Sequence, residues 1–128
     1  MRSMPKHAGT VAFVGAGPGD PGLLTLRAVE LLGRAEVVVT DAPPLPEVSR
    51  HFRADVTIVD LSAGESGQPP TKTERAKAVV DAAKSGRSVA RLLTGDPLLD
   101  GEGTDEETAC AKAKIAFEIV PGVPVAAA

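Results

Sequence analysis

Apolar positions fall into short runs and helical stripes that alternate along the chain. Val11-Ala12-Phe13-Val14 is an unbroken apolar run closed by a glycine turn, the pattern of a strand buried on both faces. Leu23, Leu24, Leu26, Ala28, Leu31 and Leu32 then recur at helical spacing, and Gly33 stands where a C-terminal glycine cap is expected. Val37-Val38-Val39 predicts a second strand ending at Thr40-Asp41. Pro43, Pro44 and Pro46 punctuate its exit, ahead of a short helix through Phe52. Val56-Thr57-Ile58-Val59 alternates as a third strand, and residues 62–70, with Gly64, Gly67, Pro69 and Pro70, predict a loop. The clearest helix spans 73–85 and is stopped by Gly86. Residues 89–93 and 117–120 predict a fourth and a fifth strand, with an Ala/Lys-rich helix from about Thr104 between them.

Strands alternating with helices at this spacing predict parallel βαβ units. The expected fold is therefore α/β, an open, mostly parallel five-stranded sheet flanked by helices. Ligands in such sheets bind at the carboxyl ends of the strands. Three glycine-rich turns each follow a predicted strand, after Val14, Leu93 and Val120, so they and Asp41 are expected along one edge. Residues 1–8 read as a flexible tail and residues 9–128 as one domain. The closing run Val125-Ala126-Ala127-Ala128, apolar and uncapped, points to a following segment or to a docking partner.

A length of 128 residues suits one compact domain or half of a two-domain protein. Such a chain buries roughly two-thirds of its unfolded surface and needs no staple. The single cysteine, Cys110, allows no internal disulfide and no cysteine-based zinc site, so a reducing compartment is expected. Cys110 itself reads as a small buried residue of a helix rather than a nucleophile. His7 and His51 are isolated, which argues against a metal site. No apolar run approaches the roughly 18 residues of a membrane span. The basic N-terminus has no apolar segment behind it, as a secretory signal would. A cytoplasmic protein is the expectation. A net charge of −3, with three Phe and no Tyr or Trp, makes nucleic acid a poor partner.

Charge changes the picture at one place. Asp96, Asp100, Glu102, Asp105, Glu106 and Glu107 fall within twelve residues that hold no Lys or Arg. As a solvated loop and first helical turn the cluster is ordinary, because acids favour a helix N-terminus. The functional alternative is repulsion of an anionic ligand or attraction of a cationic one.

Gly15-Ala16-Gly17-Pro18-Gly19-Asp20 follows the first strand and invites a dinucleotide-binding reading. The spacing fails, because Asp20 occupies the position of the third glycine. Pro18 also removes a backbone donor, and no Lys-Ser/Thr pair follows, which excludes a P-loop. Such a turn suits a cationic or neutral ligand, for instance a sulfonium nucleoside, and it equally fits a plain structural turn. Asp20, placed before Pro21, fits a helix N-cap better than a ligand contact.

The stretch Gly-Ala-Gly-Pro-Gly-Asp-Pro-Gly-Leu-Leu-Thr-Leu-Arg-Ala, residues 15–28, closely resembles the opening of uroporphyrinogen-III C-methyltransferases, in the tetrapyrrole methylase superfamily. Two further blocks follow in that family's order. Arg91-Leu92-Leu93-Thr94-Gly95-Asp96-Pro97 is similar to its Arg-Leu-x-Gly-Gly-Asp-Pro, and Phe117-Glu118-Ile119-Val120-Pro121-Gly122-Val123 to its Phe-x-Val-Val-Pro-Gly-Ile/Val. The resemblance covers residues 10–128, the N-terminal half of such an enzyme. It implies a second α/β domain beyond this one, with S-adenosylmethionine bound in the cleft between the two and S-adenosylhomocysteine as product. It implies a homodimer, a tetrapyrrole substrate, and conversion of uroporphyrinogen III to precorrin-2 in the sirohaem and cobalamin branch.

The resemblance also implies roles. Pro18 matches the proline beside the cofactor, Gly95 and Asp96 match part of a Gly-Gly-Asp contact, and Leu99 falls where an aliphatic residue packs on the cofactor. Pro124 and Val125 take the place of a Thr-Ala that contacts it. Asp41 matches the acid that ends the second strand, proposed as proton acceptor. Methyl transfer to a pyrrole carbon requires that a proton leave the macrocycle, and a carboxylate within reach can take it, worth roughly 10² to 10⁴ in rate.

The departures are Thr40 for the family's Tyr, Leu61 for a lysine proposed as proton donor, Thr94 for the first Gly of Gly-Gly-Asp, and Glu102 for an Arg. An acidic loop repels a polycarboxylate substrate. A non-catalytic binding or docking domain on the same scaffold therefore stands as the alternative to the enzyme. A nicotinamide-binding domain has only the glycine turn and Asp41 behind it.

Overall fold

The structure is a computed structural model and describes residues 9–15, 24–62, 67–93 and 104–121. Nine elements follow in chain order: β1 (Val11–Gly15), α1 (Leu26–Arg34), β2 (Val37–Thr40), α2 (Pro46–Ser49), β3 (Thr57–Asp60), α3 (Lys72–Lys84), β4 (Val89–Leu93), α4 (Thr104–Lys112) and β5 (Phe117–Val120). The strands form one sheet in the order β3-β2-β4-β1-β5, and every pairing is parallel. The expected five-stranded α/β sheet is present.

Alternation along the strands sorts the core into two layers. Val11 and Phe13 of β1, Val37 and Val39 of β2, and Val89 and Leu93 of β4 join Val79 and Ala83 of α3 and Cys110 of α4 on one face. Ala12, Val14, Val38, Ala90 and Leu92 point the other way, onto Ala28 and Leu32 of α1 and Val48 of α2. Both faces of β1, β2 and β4 are thus covered, which explains the apolar runs of β1 and β2 and the apolar residues on both sides of Arg91 in β4. Phe13 adds an edge-to-face contact with Phe117 of β5, with ring centroids 5.6 Å apart.

Central β4 passes its chain to β5 through α4. Its neighbours β2 and β1 send theirs toward the opposite side of the sheet, through α2 and α1 on the other face. Such reversals open a crevice at the carboxyl ends of the strands. Those ends coincide: Gly15 is level with Leu93, Val14 with Val120, and Thr40 with both Leu92 and Asp60.

Several boundaries differ from the sequence expectation, each for a local reason. Helix α1 starts at Leu26, because the Thr25 hydroxyl accepts from the Ala28 amide at 3.0 Å and caps it. Thr25 is therefore the N-cap of α1, and Asp20, read as a cap from the sequence, lies outside the described residues. Gly33 lies inside the helix, which closes instead on Ala35, whose amide donates to the Leu31 carbonyl. Helix α3 begins one residue early on a reciprocal cap: the Thr71 hydroxyl accepts from the Glu74 amide, and the Glu74 carboxylate accepts from the Thr71 amide at 2.7 Å. Its end is as expected, with Gly86 at φ +87, a conformation glycine adopts without strain. Strand β3 begins at Thr57 because the Val56 amide is spent closing a turn onto Arg53. As an edge strand, β3 leaves Ile58 exposed.

Candidate active site

Asp41 is the first residue beyond β2, at the carboxyl edge of the sheet. The turn that carries it is pinned from both sides. The Thr40 hydroxyl donates to the Ala42 carbonyl at 2.7 Å, and the Leu61 amide donates to the Thr40 carbonyl at 2.8 Å. Position 41 continues the odd-numbered series of β2, so its side chain falls on the α3/α4 face.

The same parity puts Arg91 of β4 on that face, between Val89 and Leu93 and level with Val39. Arg91 and Asp41 are therefore diagonal neighbours on adjacent strands, within reach of a long side chain. Arg91 Nη2 donates to both oxygens of Asp41, at 3.0 and 3.1 Å. From the helix layer, Glu106 in the first turn of α4 meets the same guanidinium, accepting from Nε at 2.6 Å and from Nη2 at 3.1 Å. Nη1 donates to the Val39 and Leu92 carbonyls. All five N–H groups of the fork are thereby satisfied.

Burial separates the three side chains. Those of Arg91 and Glu106 are 1% and 2% exposed, whereas that of Asp41 is 38% exposed. The pair is internal and Asp41 faces the crevice. Burial alone disfavours the Arg91 cation, but the bonds and charge of Glu106, and then those of Asp41, outweigh it and raise its proton affinity above the ordinary value. Arg91 is a permanent cation. Glu107 is shifted upward by burial and by the charge of Glu106 beside it. Burial, with a smaller push from the same two acids, raises the Cys110 thiol to about 11.

At Glu106 this arrangement corrects the reading of the acidic cluster as solvated, while Asp96, Asp100 and Glu102 lie outside the described residues. Glu106 is a buried counter-ion, and of the described acids Asp105 is the exposed one, 3.8 Å from Lys72. Neither Arg91 nor Glu106 had been assigned a role from the sequence. The available signal was strand parity: a charged residue within an apolar parallel strand needs a partner from the covering helix.

Of the residues expected at the site, the structure places Asp41 at the carboxyl edge. Pro18, Gly95, Asp96, Leu99, Pro124 and Val125 lie outside the described residues, as do Asp20, Thr94 and Glu102. The strands that precede them, β1, β4 and β5, end on the edge that carries Asp41. Leu61 is beside Thr40, where the resemblance put a lysine, and it packs against the α3/α4 core layer. Cys110 is buried as expected. Among the described residues no group of three or more His, Cys, Asp or Glu side chains is placed to hold a metal, and no helix is long and apolar enough to cross a membrane. A cleft of about 330 Å³, lined by Arg27, Arg34, Ser88 and Phe117, opens at the opposite, amino edge, away from Asp41.

A doubly wound parallel sheet with an anchored, half-exposed carboxylate at its carboxyl edge defines a ligand-binding α/β domain. Residues 10–128 match the Tetrapyrrole (Corrin/Porphyrin) Methylases, and the chain belongs to that family. Among curated relatives it is 44% identical over 124 residues to siroheme synthase 2 of Aeromonas hydrophila, covering 95% of this chain and 26% of that protein. It is 42% identical over 125 residues to siroheme synthase 1 of Klebsiella pneumoniae, with 95% and 26% covered. The chain thus spans about a quarter of the length of these relatives.

Solved structures agree. A uroporphyrin-III-C-methyltransferase from Thermus thermophilus superposes with a TM-score of 0.74 at 38% identity, over 90% of this chain and 48% of that one. The uroporphyrin-III C-methyltransferase of that organism complexed with S-adenosylhomocysteine gives 0.73 at 34%, over 91% and 49%.

Proposed function

We propose that this chain is the N-terminal domain of an S-adenosylmethionine-dependent methyltransferase that converts uroporphyrinogen III to precorrin-2, with Asp41 as the proton acceptor. The observation that carries the reading is the Asp41 carboxylate, anchored by Arg91 yet 38% exposed at the edge where the strands end. The relatives named above and the S-adenosylhomocysteine complex of a structural neighbour support it.

The described part of the edge fits a sulfonium cofactor in charge. Asp41 follows β2 and Asp60 ends β3 at that edge, and the Arg91 cation beside Asp41 has its charge met by Glu106. S-adenosylmethionine supplies an electrophilic methyl group. Transfer to a pyrrole carbon leaves one positive charge on the macrocycle, and loss of a proton to Asp41 discharges it and restores the double bonds. The other wall of the site is assigned to a second α/β domain, with Pro18, Gly95, Asp96, Leu99, Pro124 and Val125 contributing to the cofactor side. The protein is read as a cytoplasmic homodimer, and its 128-residue domain alone as a weak cofactor binder without turnover.

The test is methyl transfer from S-adenosylmethionine to uroporphyrinogen III by the protein as encoded. Asp41→Asn is expected to lower kcat by roughly 10² to 10⁴, with S-adenosylhomocysteine affinity by calorimetry unchanged. Full turnover by Asp41→Asn removes the proton-acceptor role. Absence of both turnover and cofactor binding in the unaltered protein favours instead a non-catalytic binding domain. Leu61 supports that second reading, since an apolar side chain packed into the core can donate no proton.

A further inference from the structure

We propose that Arg91 is a positioning residue, whose buried guanidinium, clamped by Glu106, fixes the Asp41 carboxylate at the sheet edge in the orientation from which it takes a proton. The inference rests on the reading of Asp41 as proton acceptor and adds what holds that acceptor in place.

The distribution of bonds and charge carries it. A fold in need of a filled core could place two apolar residues at 91 and 106, because a buried ion pair returns little net stability over a well-packed apolar pair. Here the fork is held from three directions, by Glu106 and by the Val39 and Leu92 carbonyls, before it reaches Asp41. Glu106 already matches the guanidinium charge. Asp41 is therefore not needed to neutralise Arg91, and at 38% exposure water could solvate it instead. What Arg91 does for Asp41 is remove freedom. Its Nη2 touches both oxygens, which holds in one rotamer a side chain that would otherwise swing. Glu106 gives the pair no net charge, so the base is oriented without its negative charge being cancelled.

Three variants test this in the protein as encoded, with Asp41→Asn as reference. Arg91→Leu/Glu106→Leu keeps the site filled and removes the fork. It is expected to fold, to bind S-adenosylhomocysteine as the unaltered protein does, and to lose roughly 100-fold in kcat with KM little changed, the cost of a displaced reacting group. Arg91→Lys keeps the cation and its pair with Glu106 but cannot span to Asp41, and is expected to lose kcat in the same way. Glu106→Gln is expected to lose less, because one acceptor remains.

A folded double variant with unaltered kcat, beside an inactive Asp41→Asn, overturns the positioning role and leaves Asp41 standing as proton acceptor. Unaltered kcat in Asp41→Asn removes that acceptor role first. If the double variant does not fold, Arg91→Lys decides by the same comparison. Scalar couplings at Asp41 give a readout independent of turnover. One side-chain rotamer is expected with Arg91 present and averaging in the double variant; a single rotamer in both overturns the proposal.

Discussion

Replacing Glu106 by alanine tests the energetics on which the edge depends. In the folded chain Glu106 accepts two of the five N–H bonds of a guanidinium that is 1% exposed, and is itself 2% exposed. Its loss leaves a buried cation with the half-exposed Asp41 as its one remaining ionic partner among the described residues. Breaking a buried pair from one side costs about 3–5 kcal/mol. That is a large share of the roughly 5–15 kcal/mol by which a domain is stable. With a urea slope of about 2 kcal/mol/M, the unfolding midpoint should fall by roughly 2 M. Urea titrations at about 0.1 M and 1 M NaCl should give nearly the same loss, since buried charges are little screened. Arg91→Leu/Glu106→Leu should recover most of it. A loss below about 1 kcal/mol, the range of exposed pairs, or one that vanishes at high salt, would refute the reasoning.

Two further outcomes are expected. A Cβ at Gly9 would fall on the backbone carbonyl of Arg87, and the Gly9 amide is bonded to Ala83, so the strand cannot retreat cheaply. Gly9→Ala should cost at least about 2 kcal/mol by chemical denaturation, and a neutral substitution would show that this close approach is not obligatory. The Cys110 thiol, raised to about 11 by burial, should resist an aromatic disulfide reagent at pH 8 in the native state and react at once in denaturant. Rapid native labelling would place Cys110 nearer the surface.

Much of the fold was legible because three strands are covered on both faces. The Val run of β2 and the Val, Ala and Leu on both sides of Arg91 mark β2 and β4, and the glycine turn marks the end of β1. Boundaries set by side-chain capping were harder to read. Thr25 and Thr71 each claim an amide three residues on, which periodicity does not register. Edge strand β3, largely exposed, shifted by one residue for the same lack of a core signal. At the site, Asp41 was found through the family pattern and its place after a strand. Arg91 and Glu106 were missed for different reasons. Arg91 was read as one letter of a motif, and Glu106 disappeared among five neighbouring acids, although among the described ones it is Glu106 that meets the strand from the helix layer.

The clamp also ties the readiness of the edge to the order in which the chain is completed. Asp41 and Arg91 are separated by 50 residues in sequence, and Arg91 and Glu106 by a further 15. During synthesis, β2 and β3 can emerge and pair while Asp41 lacks its Arg91 partner, and not until β4 and α4 dock does the latch close. A nascent or misassembled domain thus carries a loose carboxylate, and the edge is set only once β4 and α4 have joined the sheet.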